Sequence, residues 1–313
     1  MSSASYDAID YNLRPAKAIE RKMLAELFRR LDRAAALKHY RYVGFGSPYF
    51  ADFVLFHRAL DIQSMVSIER EVDDRPRFEF NRPFGAVELM FGESAEVLPQ
   101  LDWEQRSIVW LDYDDPLDTA MLNDIALCVD RLPSGSVLIV SARAQLDADP
   151  ETRFAEFKEN LEAFVPPELT VDDLGGWDIA RHYRQIIDER INGAIRDRNI
   201  GRSDSVQVAY SQLVNFEYAD GVKMMTVGGV ILNQSDASHF RSCNFEEFEF
   251  FKPDAYAYRI KLPRLTPKEV RHLDALLPSG TPPDATDVGI PLTQSNKYAA
   301  VYRYFPKYVD VEG

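Results

Sequence analysis

Five short segments hold the residue types that could do chemistry. Gly44-Phe45-Gly46-Ser47 closes a short apolar run that begins at Tyr40. Glycine lets the backbone turn tightly and approach a ligand. A helix opening at Pro48 would offer its N–H groups to a carboxylate or phosphate. The same residues also suit an ordinary strand-to-helix turn. Glu69 ends the run Ser64 to Glu69. A carboxylate there can accept hydrogen bonds from both ribose hydroxyls of an adenosine cofactor, or serve the next helix start. Gly92-Glu93-Ser94 offers an amide and polar side chains to an adenine edge, or a helix cap.

Asp112-Tyr113-Asp114-Asp115 is the most acidic of the segments. Its carboxylates could accept a proton, orient a nucleophile, or hold a hard cation, with Asp112, Asp114 and Asp115 as the ligands for Mg²⁺. Capping of the following helix is the plainer role. The fifth segment is cationic: Asn12, Arg14, Lys17 and Arg21, the last three on one helix face. Positive charge at a helix start opposes the macrodipole. Arg14 and Lys17 could therefore bind a cofactor carboxylate or an acidic substrate, unless the face is merely solvated.

The elements that carry these segments alternate. Pro15 to residue 37 reads as a helix, with Ile19, Met23, Leu24, Leu27 and Leu31 at helical spacing. Strands are predicted over 40–46, 64–69, 87–91, 107–111 and 136–141, with helices between them and after the last. Such alternation implies right-handed crossovers and a doubly wound parallel sheet. A charged helix over 178–200 follows, then strands 206–218 and 222–232 around Ala219-Asp220-Gly221, a hairpin signal. The fold class is therefore α/β, with a mostly parallel seven-stranded sheet ending in an antiparallel hairpin. Residues 1–39 form an N-terminal helical region. A core spans 40–232 with an insert at about 165–205, and 233–313 form a C-terminal extension, with a strand near 255–262 and a capped helix from Thr266 to Leu277.

In an open α/β sheet, ligands bind beyond the carboxyl ends of the strands. Glycine turn, Glu69, Gly92-Glu93-Ser94 and Asp112 all fall at that edge. Their order resembles class I S-adenosylmethionine-dependent methyltransferases over about residues 15 to 232, and the reversed last strand is shared with that family. The resemblance implies that Gly44, Gly46 and Ser47 line the methionine part of the cofactor and Glu69 its ribose. It places Glu93 and Ser94 by adenine, and Asp112 near the methyl group or the cofactor amine. Asp112 or Asp114 would orient or deprotonate the acceptor. The segment after strand four lacks the Asn/Asp-Pro-Pro-aromatic motif of base and amide N-methyltransferases, which favours O-methylation. The glycine turn departs from the family pattern, which leaves a silent cofactor-binding or sensor module as an alternative. A nicotinamide oxidoreductase would want a small residue at position 49, where Tyr49 stands.

Composition sets the remaining bounds. The 313 residues carry a net charge of −14, which argues against bulk DNA, RNA or anionic-membrane binding. Cys128 and Cys243 have neither disulfide-framework nor zinc spacing. The five histidines lack metal-ligand spacing, and only His182 is a candidate base. The N-terminus reads as neither signal peptide nor membrane anchor, so a cytoplasmic location is expected. The expected partner is a small-molecule acceptor, with helix 178–200 as an oligomer contact.

Overall fold

A computed structural model describes residues 14–307; Asn12 lies outside them. Helix α1 (Pro15–Leu31) leads into strand β1 (Arg41–Phe45). There follow α2 (Ala51–Leu60), β2 (Ser64–Glu69), α3 (Arg75–Asn81), β3 (Val87–Phe91) and α4 (Ser94–Val97). Next come β4 (Ser107–Asp112), α5 (Thr119–Arg131), β5 (Ser136–Arg143), α6 (Pro150–Leu161) and α7 (Asp178–Asn199). The hairpin is β6 (Val208–Asp220) and β7 (Val222–Asn233). The C-terminal part adds α8 (Gln234–Arg241), β8 (Tyr258–Arg259), α9 (Pro267–Leu276) and α10 (Leu292–Val301).

The sheet order is β3-β2-β1-β4-β5-β7-β6-β8. Strands β1 to β5 are parallel, and β7 runs antiparallel to both β5 and β6. The mostly parallel sheet with a closing hairpin is the predicted architecture. Among the described residues it has eight strands rather than seven. The eighth is only Tyr258–Arg259, set beside Phe216–Glu217 and anchored by Arg259 on the Glu217 carboxylate.

Alternate residues of each strand feed two cores. Tyr42, Met65, Trp110 and Ile139 face α1, α2 and the C-terminal part. Val43, Val66, Leu111 and Val140 face α5, α6 and α7. A small third cluster, around Leu273 and Tyr298, ties α9 to α10. The two long hairpin strands pack tightly where Gly229 lies. A Cβ there would sit 2.2 Å from the Ser211 carbonyl oxygen, beside a register shift at Gln212/Val214.

Two predicted boundaries move for local reasons. Helix α1 stops at Leu31 rather than 37, because the Asp32 carboxylate accepts from the Leu37 N–H and turns the chain. Helix α2 starts at Ala51 rather than Pro48. Phe50 takes a left-handed conformation and donates to the Ser47 carbonyl, which extends the glycine turn by one more bend.

Helix 178–200 is a core element. Ile179, Tyr183, Ile187 and Ile191 are buried inside this chain. Arg190 and Arg198 donate to the Leu122 and Leu132 carbonyls, the second an otherwise open acceptor at the end of α5. Its apolar face packs within this chain, while Ile200 at its end is exposed. No helix of the described residues is long and apolar enough to cross a membrane.

Candidate active site

The sequence brings Gly44, Gly46, Ser67, Glu69, Trp110 and Asp112 to one face of the sheet. The two-residue period of β1, β2 and β4 does this. All lie at or near the carboxyl edge, under α1 and α2.

Each glycine of the turn makes room for a side chain of this chain. A Cβ on Gly44 would lie 2.6 Å from the Tyr42 hydroxyl oxygen, which itself donates to Asp52 in the first turn of α2. A Cβ on Gly46 would lie 2.0 Å from Glu69 Oε1 and 2.2 Å from Ser67 Oγ. The Glu69 carboxyl is therefore laid flat against the turn, accepting from Ser67 Oγ at 2.5 Å. Glu69 is 2% exposed. Burial pushes its carboxyl up to about 8; the Ser67 hydrogen bond pulls the other way. Ser47 is turned inward to its own loop and accepts from the Tyr49 N–H.

The second half of the site is built on Lys17, a residue of α1 that is 1% exposed. Its ammonium donates to Asp112 Oδ1 at 2.5 Å and to the Tyr218 hydroxyl at 3.1 Å, and pairs with Glu20 Oε2 at 2.8 Å. The remaining side rests on the face of Trp110, 4.3 Å from the ring centroid. The Glu20 contact is an ion pair without hydrogen-bond geometry, and Glu20 Oε2 has no hydrogen-bond donor among the described residues. A polar chain closes the cluster: Trp110 donates to Ser141 Oγ, Ser141 bonds Thr226, and Thr226 donates to Glu20. Burial alone would raise the Asp112 carboxyl. Lys17, helped by Arg21 and Arg14, outweighs it and holds Asp112 below the ordinary carboxylate range.

Asp220, at the tip of the hairpin, holds α1 in register over this edge. Its two carboxylate oxygens accept from the N–H groups of Ala16 and Lys17. Helix α1 has no acid in its own first turn, so a distant one supplies the compensation. The cationic face of α1 is accordingly not solvated. Arg14, Lys17 and Arg21 are all buried.

The other expected residues are placed as follows. Gly92 donates its N–H to the Glu69 carbonyl, so the β3 turn does adjoin Glu69. Ser94, however, donates to Asp124 of α5, which also accepts from the Tyr113 hydroxyl. Burial raises the Asp124 carboxyl. Glu93 is exposed, and its side chain makes no capping bond. The Mg²⁺ reading is set aside. Asp112 is held by Lys17, Asp114 lies 3.7 Å from Arg14, and exposed Asp115 lies 3.9 Å from Arg70. Among the described residues no three His, Cys, Asp or Glu gather as a metal site. His182 lies on α7, near Asp173 and Asp178 rather than Asp112.

Sequence reasoning missed Ser67, Glu20, Trp110, Tyr218, Thr226 and Asp220. Two of them leave a trace. Ser67 is two residues before Glu69 on a strand, and Glu20 is three residues after Lys17 on a helix. The rest come together only through the sheet.

Fold, edge and site together define a Rossmann-like, S-adenosylmethionine-dependent methyltransferase. The chain belongs to the family described as "Putative O-methyltransferase", whose profile matches residues 9–313. No curated protein matches it. Similar solved structures include the O-methyltransferase TomG from Streptomyces achromogenes, 17% identical, covering 71% of this chain and 90% of that one, TM-score 0.37. The O-methyltransferase from Bacillus cereus is 15% identical over 72% of this chain and 86% of that one, TM-score 0.40. Trm1 from Pyrococcus horikoshii is 9% identical over 76% and 61%, TM-score 0.48.

Proposed function

We propose that the chain methylates an oxygen of a small-molecule acceptor, with the cofactor laid across Gly46, Glu69 and Asp112. The observation that supports this reading most is the Glu69 carboxyl, buried against Gly46 with only Ser67 as hydrogen-bond partner. A buried carboxyl with unused acceptor capacity fits two vicinal hydroxyls. When bound, S-adenosylmethionine supplies an electrophilic methyl group on a sulfonium.

The chain's own residues then position and exclude. Glu69 accepts from the ribose hydroxyls. Asp112, kept ionised by Lys17, presents a fixed negative charge at the end of the central strand β4. A carboxylate so held is a poor proton acceptor, so its part is to orient a cationic or hydroxyl group rather than to take a proton. Asp114, half-buried near Arg14, is the better placed of the two to receive the acceptor's proton. Methyl transfer then rests chiefly on holding the acceptor in line. Glu93 and Ser94 remain assigned to the adenine end. A cytoplasmic location goes with this reading.

Isothermal titration with S-adenosylhomocysteine, followed by labelled-methyl transfer to a metabolite extract, tests the proposal. Binding with label on an acceptor oxygen is the expected result. Binding with no labelled product would favour a sensor. No binding, with NADH bound instead, would favour an oxidoreductase.

A further inference from the structure

Arg143 ends β5. It is half-buried, and its side chain makes no hydrogen bond or ion pair with any described residue. Strand geometry fixes the face it lies on. Ser141 is level with Asp112 and accepts from Trp110 Nε1, so it faces the site. Ala142 turns into the opposite core. Arg143 therefore returns to the site's face, opposite Met224 of β7. Tyr218, the hydroxyl partner of Lys17, lies opposite Met224 in turn. The nearby acids do not claim Arg143. Its backbone N–H donates to the Asp115 carbonyl at 3.0 Å, so the loop after β4 folds against the end of β5. Yet Asp114 lies near Arg14, Asp115 near Arg70, and Asp118 accepts from the Met121 N–H to cap α5. We infer that the methyl acceptor carries a carboxylate and that Arg143 binds it. This rests on the methyltransferase reading and names the class of its substrate.

The sheet order sets the direction of approach. It runs β2-β1-β4-β5 across the site. A cofactor laid across Gly46, Glu69 and Asp112 occupies the ends of β2, β1 and β4. The acceptor then comes from the β5 side. There Arg143 stands one strand beyond Asp112 and two residues further out. Lys17 is held by Asp112, Tyr218 and Glu20, and Arg14 lies 3.7 Å from Asp114. The neighbouring charges also set the class of anion. A planar guanidinium matches a carboxylate edge to edge. The acids of the β4 loop repel a dianionic phosphate more than a monoanionic carboxylate. The oxygen that reacts belongs to a separate hydroxyl of the same molecule, placed over Asp112 and Asp114. That oxygen bonds the methyl carbon as the carbon–sulfur bond breaks, its proton passes to Asp114, and the thioether leaves. Arg143 touches the substrate away from the reacting atoms, so its part is specificity.

The test is labelled-methyl transfer by the full chain to a metabolite extract, divided by anion exchange into an anionic fraction and the remainder. Label is expected in the anionic fraction, on a product that stays anionic and keeps its label in mild alkali, as a methyl ether does. Label confined to the remainder, or released by alkali as from a methyl ester, would overturn the inference and leave methyl transfer standing. Phosphatase treatment of the anionic fraction beforehand should change nothing, and loss of labelling would overturn the carboxylate in favour of a phosphate. Label in no fraction would sink both readings. Arg143→Gln is expected to raise the KM for the anionic fraction, read by serial dilution, by about 10- to 100-fold with kcat little changed, the range of a lost charge-assisted hydrogen bond. Its affinity for S-adenosylhomocysteine by calorimetry should hold, which reports a folded protein. An unchanged KM would overturn the inference. If Arg143→Gln does not fold, Arg143→Lys decides. A point charge in place of a planar fork should raise KM several-fold, and no change would overturn the role of Arg143.

Discussion

Lys17 of the first helix and Asp112 at the end of the central strand meet at 2.5 Å, 95 positions apart in sequence. The contact joins the helix to the sheet at the point where the reacting groups are expected. It also sets the charge of Asp112. Breaking a buried pair leaves the partner's charge uncompensated, which is usually worse than having no pair. Lys17→Met is therefore expected to cost about 3 kcal/mol of stability by urea denaturation, toward the low end for a buried pair because Asp112 is partly exposed. Lys17→Met combined with Glu20→Gln should cost less than Lys17→Met alone. A single-variant loss below about 1 kcal/mol would mean the cluster behaves like a surface pair.

Glu69 gives a pH signature. Its carboxyl is raised by burial to about 8, above its ordinary value of 4.5. Ribose hydroxyls are best accepted by the ionised form. Affinity for S-adenosylhomocysteine should therefore rise with pH and level off above about 8. Glu69→Gln should abolish this slope and weaken binding at pH 9 by about tenfold. Calorimetry from pH 6 to 9 reads both effects.

The same group affects stability with a definite sign. Between 4.5 and about 8 the folded chain holds a proton that the unfolded chain releases. Its contribution to stability therefore falls as pH rises through that window. Glu69→Gln removes this loss. The variant should gain in melting temperature relative to wild type as pH goes from 5 to 9, measured without ligand.

Gly46→Ala and Gly229→Ala should separate binding from folding. At Gly46 the new Cβ meets the ends of two side chains, Glu69 and Ser67, which can swing away. At Gly229 it meets the Ser211 carbonyl and the Gln212 backbone, which cannot. Gly46→Ala is expected to lose cofactor affinity by tenfold or more, with a stability change of about 1 kcal/mol. Gly229→Ala should lose about 3 kcal/mol or fail to fold, as overpacking against backbone does. Paired melts and titrations check this.

Asp220→Ala removes the acceptor for two N–H groups at the start of α1. A loss of about 1–2 kcal/mol is expected, as for a helix cap. Asp220→Asn should recover much of it. Because Lys17 is one of the two residues anchored, Asp220→Ala should also weaken S-adenosylhomocysteine binding, which a cap remote from the site would leave unchanged.

Local pattern determined a large part of this protein. Apolar runs bounded by glycine and acids placed β2 and β3 to the residue and β1, β4 and β5 within a residue or two. Asp220-Gly221 placed the hairpin turn. The edge positions of Gly46, Glu69 and Asp112 followed from strand order alone, because a strand's end is a local property. Only the tertiary structure decided what those residues do to one another. Lys17 read equally well as a solvated cation until Glu20, Tyr218 and Trp110 enclosed it. Asp112, Asp114 and Asp115 read as one cluster and were drawn to three different cations. Helix 178–200 read as a charged helix, and Ile179, Tyr183, Ile187 and Ile191 bury one side of it. The physical reason is common to all of these. Secondary structure depends on neighbours a few residues away. Burial and charge pairing depend on groups up to about two hundred residues distant, such as Asp220 on Lys17, which no local spacing encodes.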